Sequence, residues 1–128
     1  MQDKFITMSN EEYHAHYALG SSEDYDKVLK VIDSARRHPI TDELYKGEVI
    51  TEGSLFFDLE GVPCKARPDL VSVTSDGVDV LDLKTTMDAS PAGFAKSVGT
   101  LGYHVQEWFY RQAMALNGME VNRFIFLL

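Results

Sequence analysis

Lys65-Ala66-Arg67-Pro68-Asp69-Leu70-Val71-Ser72-Val73-Thr74-Ser75-Asp76-Gly77-Val78-Asp79-Val80-Leu81-Asp82-Leu83-Lys84 decides how this chain folds. Two apolar runs flank Ser75-Asp76-Gly77, a turn signal, so the stretch reads as a β-hairpin. Strand side chains alternate between faces. Arg67, Asp69, Val71 and Val73 therefore share one face, and Val78, Val80, Asp82 and Lys84 share one face of the next strand. Pairing across the turn brings Asp69 near Asp82, thirteen positions on. Two carboxylates and a lysine on neighbouring strands can hold a hard divalent cation and aim a water at a phosphodiester. Metal-assisted nucleic-acid hydrolysis is the chemistry against which the other residues are weighed.

Upstream, Val49 onward continues the strand pattern, and Glu60-Gly61 is a second turn signal. Three runs over Val49–Lys84 predict an antiparallel meander. Before it, Tyr25, Val28, Leu29 and Ile32 recur at i, i+3, i+4 and i+7, the apolar stripe of a helix that starts near Ser21-Ser22 and stops at Pro39. That stripe is expected to pack on the sheet. Residues Thr41 to Lys46 add one short helical turn. Downstream, Thr85–Ser90 reads as a loop, Pro91 as the first position of a helix, and Tyr103–Leu116 as a second helix closed by Asn117-Gly118. Val121–Leu128 is a buried strand. The expected fold class from these runs is α/β (α+β), with an antiparallel meander and helices on either side of it in the chain.

A chain of 128 residues, 45% hydrophobic and 25% charged, forms one compact domain. The expected organisation is an arm over residues 1–20 and a single domain over 21–128, shortened in its N-terminal helical region and at its C-terminal end. No apolar run approaches the ~20 residues of a membrane span, and the start lacks a signal-peptide pattern. A cytoplasmic location, without membrane association, is the expectation. The single cysteine, Cys64, rules out an internal disulfide and a clustered-thiolate metal site; packing is its expected role. A net charge of −8 argues against a protein that holds nucleic acid by bulk electrostatics. The objection weakens if the site is locally basic, and Lys65, Arg67, Lys84, Lys96 and Arg111 fall in or near the motif segments.

In the helix from Tyr103, Gln106 and Tyr110 stack at i and i+4. Lys65–Val71, Asp82-Leu83-Lys84-Thr85-Thr86 and Tyr103–Arg111, in that order, together with the arm Tyr13–Ser22, resemble the RecB-like branch of the PD-(D/E)xK nuclease superfamily. Within it the chain is most similar to the RecE-type (exodeoxyribonuclease VIII) nuclease domains of phages and prophages. The resemblance implies a restriction-endonuclease-like core, a central mixed sheet with the antiparallel meander flanked by helices, and Mg²⁺ or Mn²⁺ held by Asp69, Asp82 and the Leu83 carbonyl. Lys84 is implied to orient or help deprotonate the attacking water, and Gln106 and Tyr110 to position DNA, with Arg67, Thr85 and Arg111 as phosphate contacts. It further implies an exonuclease on linear double-stranded DNA ends in a bacterial or phage-infected cell, with 5′ to 3′ polarity, a single-strand annealing partner and a homo-oligomeric ring.

Relatives carry a further metal-binding histidine or glutamate on a helix before the first strands. The interval Glu23–His38 offers no counterpart, which leaves Glu52, His14 and His16 as candidate replacements. This gap supports one rival reading, a catalytically impaired nuclease fold that binds DNA or protein; a separate rival is a related endonuclease or repair nuclease using the same core. Blander roles accompany the motif residues. An Asp–Lys pair on one strand face can be an ion pair of little worth, and Gln106 and Tyr110 can be the rim of a packed helix. Trp108 and Phe109 are expected in the core, and His38 at a helix C-terminus.

Overall fold

The computed structural model describes residues 22–128; the arm, including His14 and His16, lies outside them. Helix α1 spans Ser22–Arg37 and α2 Pro39–Leu44. Strands β1 (Val49–Thr51), β2 (Leu55–Leu59), β3 (Val62–Ala66), β4 (Leu70–Val73) and β5 (Val78–Leu83) follow. Helices α3 (Pro91–Leu101) and α4 (Tyr103–Leu116) then lead to β6 (Val121–Leu127). The central sheet has the order β1-β4-β5-β6, with β1, β4 and β5 antiparallel and β6 parallel to β5. It is the expected mixed sheet flanked by helices.

The three strand runs are divided more finely than the pattern predicts. Hairpin β2–β3 forms a two-stranded sheet of its own, inserted between β1 and β4. Two local features cause the division. Glu52 ends β1 in the left-handed region at φ 52°, a conformation that no strand continues. Pro68, which has no N–H to give to a ladder, separates β3 from β4.

Alternation along β4 and β5 builds two cores. Val71, Val78 and Val80 face Ala113 and Met114 of α4, together with Ile50, Leu55 and Ala66. Leu70 and Leu81 face the other way, onto Leu44 of α2 and Leu127. Val78 through Asp82 are all buried, as expected of a central strand covered on both faces.

The α1 side is thinner. Tyr25, Val28, Leu29 and Ile32 remain 39–47% exposed, so the stripe expected to pack on the sheet does not. Helix α1 contacts chiefly α2. An open cavity of about 550 Å³, lined by Ile32, Ala35, Leu44, Leu70, Leu81 and Leu127, lies between these helices and the sheet. His38 caps α2, its ring accepting from the Ile40 N–H, rather than serving the C-terminus of α1. No described helix is long and apolar enough to cross a membrane.

Candidate active site

The β4–β5 register pairs Leu70 with Leu81 and Val71 with Val80, so its continuation sets Asp69 opposite Asp82 and Pro68 opposite Leu83. The continuation is not made by backbone groups. Leu83 N–H donates instead to Asp69 Oδ2 at 2.7 Å, and the Asp69 side chain takes the acceptor place at the end of the ladder. A strand residue turns its N–H and C=O towards the same neighbour, so the Leu83 carbonyl faces the edge that holds Asp69. The Asp69 carbonyl accepts from Glu52 N–H at 3.0 Å, which ties the corner after β1 to the same point.

Asp82 points with Val80 towards α4. It is 3% exposed. Gln106 Nε2 donates to its Oδ1 at 2.6 Å, while Gln106 Oε1 accepts from Lys84 Nζ at 2.8 Å. Lys84 and Asp82 are themselves an ion pair. Asp82 Oδ2 is the oxygen that the Lys84 ammonium pairs with, and no other group donates a hydrogen bond to it among the described residues. A buried carboxylate is costly unless donors or a cation compensate it, and here the Gln106 amide serves one oxygen and the Lys84 ammonium the other.

Charge shapes this corner. Burial pushes the Asp69 carboxyl above its ordinary range; the Leu83 N–H opposes the shift, Asp82 and Glu52 add to it, and Lys84 opposes it. Tyr110, one helical turn beyond Gln106, donates to the Arg67 carbonyl at 3.2 Å, and burial raises its phenol further still. It is a firmly protonated donor that anchors the Arg67-Pro68-Asp69 bend.

Not every expected residue is gathered here. Glu52 pairs with Arg67, Oε2 to Nε 3.1 Å, and among the described residues no cluster of three His, Cys, Asp or Glu could hold a metal. Its carboxylate is therefore directed to Arg67 rather than completing a cage. Arg111 is not in the cluster either: it pairs with Glu107 and donates to the Val121 carbonyl. Val121 lies beside Val78, at the opposite end of β5 from Asp82. One position beyond Tyr110, Arg111 is rotated about 100° round the helix. Thr85 is exposed just past β5. Phe109 packs against the core, but Trp108 is 53% exposed, so it is not the core residue expected. Two residues that no motif role singles out, Tyr103 and Phe126, lay their rings against Lys84.

A strand-borne carboxylate pair with a lysine two residues after the second carboxylate meets the family comparison directly. Residues 1–127 match the model of a PDDEXK-like domain of unknown function, DUF3799. The chain belongs to this PDDEXK-like family. No curated protein matches it. The DUF3799 domain is thus a nuclease-fold protein, and its corner can be tested for the divalent metal that such nucleases typically use. The donor set fits. Asp69 and Asp82 are hard oxygen donors, Mg²⁺ takes only one or two carboxylates and keeps several waters, and Asp82 Oδ2, which pairs with the Lys84 ammonium, is an oxygen that a divalent cation would share or take over.

Proposed function

We propose that this domain is a divalent-metal-dependent deoxyribonuclease, acting as an exonuclease on ends of linear double-stranded DNA. The observation that supports the reading is the buried Asp82 carboxylate, held at one oxygen by Gln106 and ion-paired at the other with Lys84, next to Asp69 in the continued β4–β5 register. Asp69, Asp82 and the Leu83 carbonyl would hold Mg²⁺ or Mn²⁺, which when bound supplies the Lewis acidity and the activated water of phosphodiester hydrolysis.

The chain's own residues do the rest. Gln106 holds Asp82 and Lys84 in one arrangement, and with Tyr110 it is proposed to position the DNA strand beside them. Lys84 presents a positive charge to the phosphate as negative charge develops on it. Tyr110 holds the bend that carries Asp69. Arg67 and Thr85 are the phosphate contacts proposed at the rim. The RecE-type resemblance supports duplex ends as substrate, 5′ to 3′ polarity, an annealing partner and ring assembly.

Digestion of linear and covalently closed duplex with Mg²⁺ or Mn²⁺, against EDTA and Asp82→Ala, tests the reading. Loss of the linear substrate alone, abolished by chelator and by the substitution, is expected, with a fall of about a thousandfold or more for Asp82→Ala. Nicking of closed circles selects an endonuclease instead. Absence of cleavage with either metal selects a non-catalytic DNA- or protein-binding domain. That second reading draws on one observation, the lack of a third metal-ligating side chain among the described residues.

A further inference from the structure

Lys84 has two kinds of neighbour. On one side lie its polar partners, Asp82 and Gln106. Beside them its Nζ sits 4.7 Å from the centroid of the Tyr103 ring and 6.0 Å from that of Phe126. The two rings stack on each other with centroids 5.4 Å apart, and Phe94 abuts both. Tyr103 is 9% exposed and the Lys84 side chain 19%, so the ammonium is largely out of water where a ring face attracts a cation most strongly.

Backbone features set the platform in place. Gly102 adopts the left-handed conformation, φ 70°, as both the last cap of α3 and the first of α4, and the chain turns there so that Tyr103 opens α4. Tyr103, Gln106 and Tyr110 then fall at i, i+3 and i+7, on one helical face. Phe126 lies directly beside Asp82 in the β5–β6 register.

We propose that Tyr103, backed by Phe126, is a positioning residue that holds the Lys84 ammonium over the candidate site. The inference rests on the nuclease reading for its consequence, though not for its geometry. A lysine carries four rotatable stem bonds and no fixed fork, so polar contacts at its tip alone leave it free to swing. If a cation engages Asp82, that cation both repels Lys84 and competes for the carboxylate that pairs with it. The ring contact depends on neither, and it keeps the ammonium in place when Asp82 is otherwise occupied.

The test uses the whole chain with Tyr103→Leu, Tyr103→Phe and Phe126→Leu. An ammonium over ring faces carries ring-current shifts on its adjoining methylene, so NMR of lysine-labelled protein should show the Lys84 ε-methylene upfield of the other lysines, with and without Mg²⁺. Assignment comes from Lys84→Arg. Tyr103→Phe should keep the shift, Phe126→Leu should reduce it, and Tyr103→Leu should abolish it. In DNA digestion, Tyr103→Leu should lower kcat about tenfold with KM for DNA unchanged, and Tyr103→Phe should restore it. A Lys84 signal among those of the exposed lysines in the unaltered protein, or one retained in Tyr103→Leu, overturns the proposal. So does a Tyr103→Phe as slow as Tyr103→Leu. If Tyr103→Leu does not fold, the Phe126→Leu shift decides. A parent protein that cleaves nothing sinks the nuclease reading alone, since the NMR arm still judges the platform.

Discussion

The two faces of the central sheet make opposite use of similar sequence. On the α4 face, apolar side chains interlock with the helix until Ala113, Met114, Val78 and Val80 are fully covered, and polar groups are admitted only where they bond one another. On the α1 face, a helix with an equally regular apolar stripe leaves Tyr25, Val28, Leu29 and Ile32 substantially exposed over an open cavity. Periodicity thus tells which side of a helix is apolar; it does not tell whether anything lies against it. Although Asp69 and Leu83 also border the open cavity, most of the candidate chemistry belongs to the closed face. Asp82, Lys84, Gln106 and Tyr110 are held there by packing on both sides, which keeps the polar corner dry enough for its charges to matter.

Core truncation should expose this contrast most strongly. Met114→Ala removes a fully buried side chain and should lower the free energy of unfolding by about 2–5 kcal/mol, whereas Leu29→Ala on the exposed stripe should cost less than about 1 kcal/mol. Denaturant titration of the two variants measures the difference, and equal losses would mean that the two faces are packed alike.

A smaller effect concerns Asp69, whose ionisation is disfavoured in the folded chain. Its folded pKa is raised, so the stability it contributes is fully present below the unfolded value near 3.8 and is lost as pH rises through the folded value. At neutral pH without metal the ionised group therefore opposes folding. Asp69→Asn, whose amide oxygen can still accept from Leu83 N–H, should melt higher than the parent protein at pH 7, and the gap should close as pH falls towards 4. A lower melting temperature for the variant at pH 7 would show that the carboxylate is held by contacts stronger than its burial.

Least in magnitude is the Glu52–Arg67 pair at the rim. Glu52→Gln should change stability by less than about 1 kcal/mol, since the pair is partly exposed. It also removes a negative charge that raises Asp69, so Mn²⁺ binding, which needs an ionised carboxylate, should extend to lower pH. Calorimetric titrations across pH 4–7 check the sign.

Much of this was legible in the sequence because it is local. The alternation of Val78, Val80 and Asp82 placed the carboxylate on the face that α4 covers, and Asn117-Gly118 marked the end of that helix. The hairpin turn at Ser75-Asp76-Gly77 pairs Leu70 with Leu81, and continuing that register sets Asp69 opposite Asp82. What escaped depends on partners distant in the chain. Nothing near Glu52 signals that β1 leaves β2 and pairs with β4, twenty residues on. The pairing of Arg123 with buried Asp79 joins strands 44 residues apart. Tyr103 looked like any helix-opening aromatic until β6 brought Phe126 beneath it; the signal that could have found it is its i+3 spacing from Gln106.

The central claim is that Asp69 and Asp82 act together on one divalent cation, and titration of Mn²⁺ into the metal-free protein, followed by calorimetry, tests it most directly. The account predicts saturable binding by the parent protein that is lost in both Asp69→Asn and Asp82→Asn while each variant remains folded. Binding that survives either substitution, or a parent protein that takes up no Mn²⁺ at all, would contradict it.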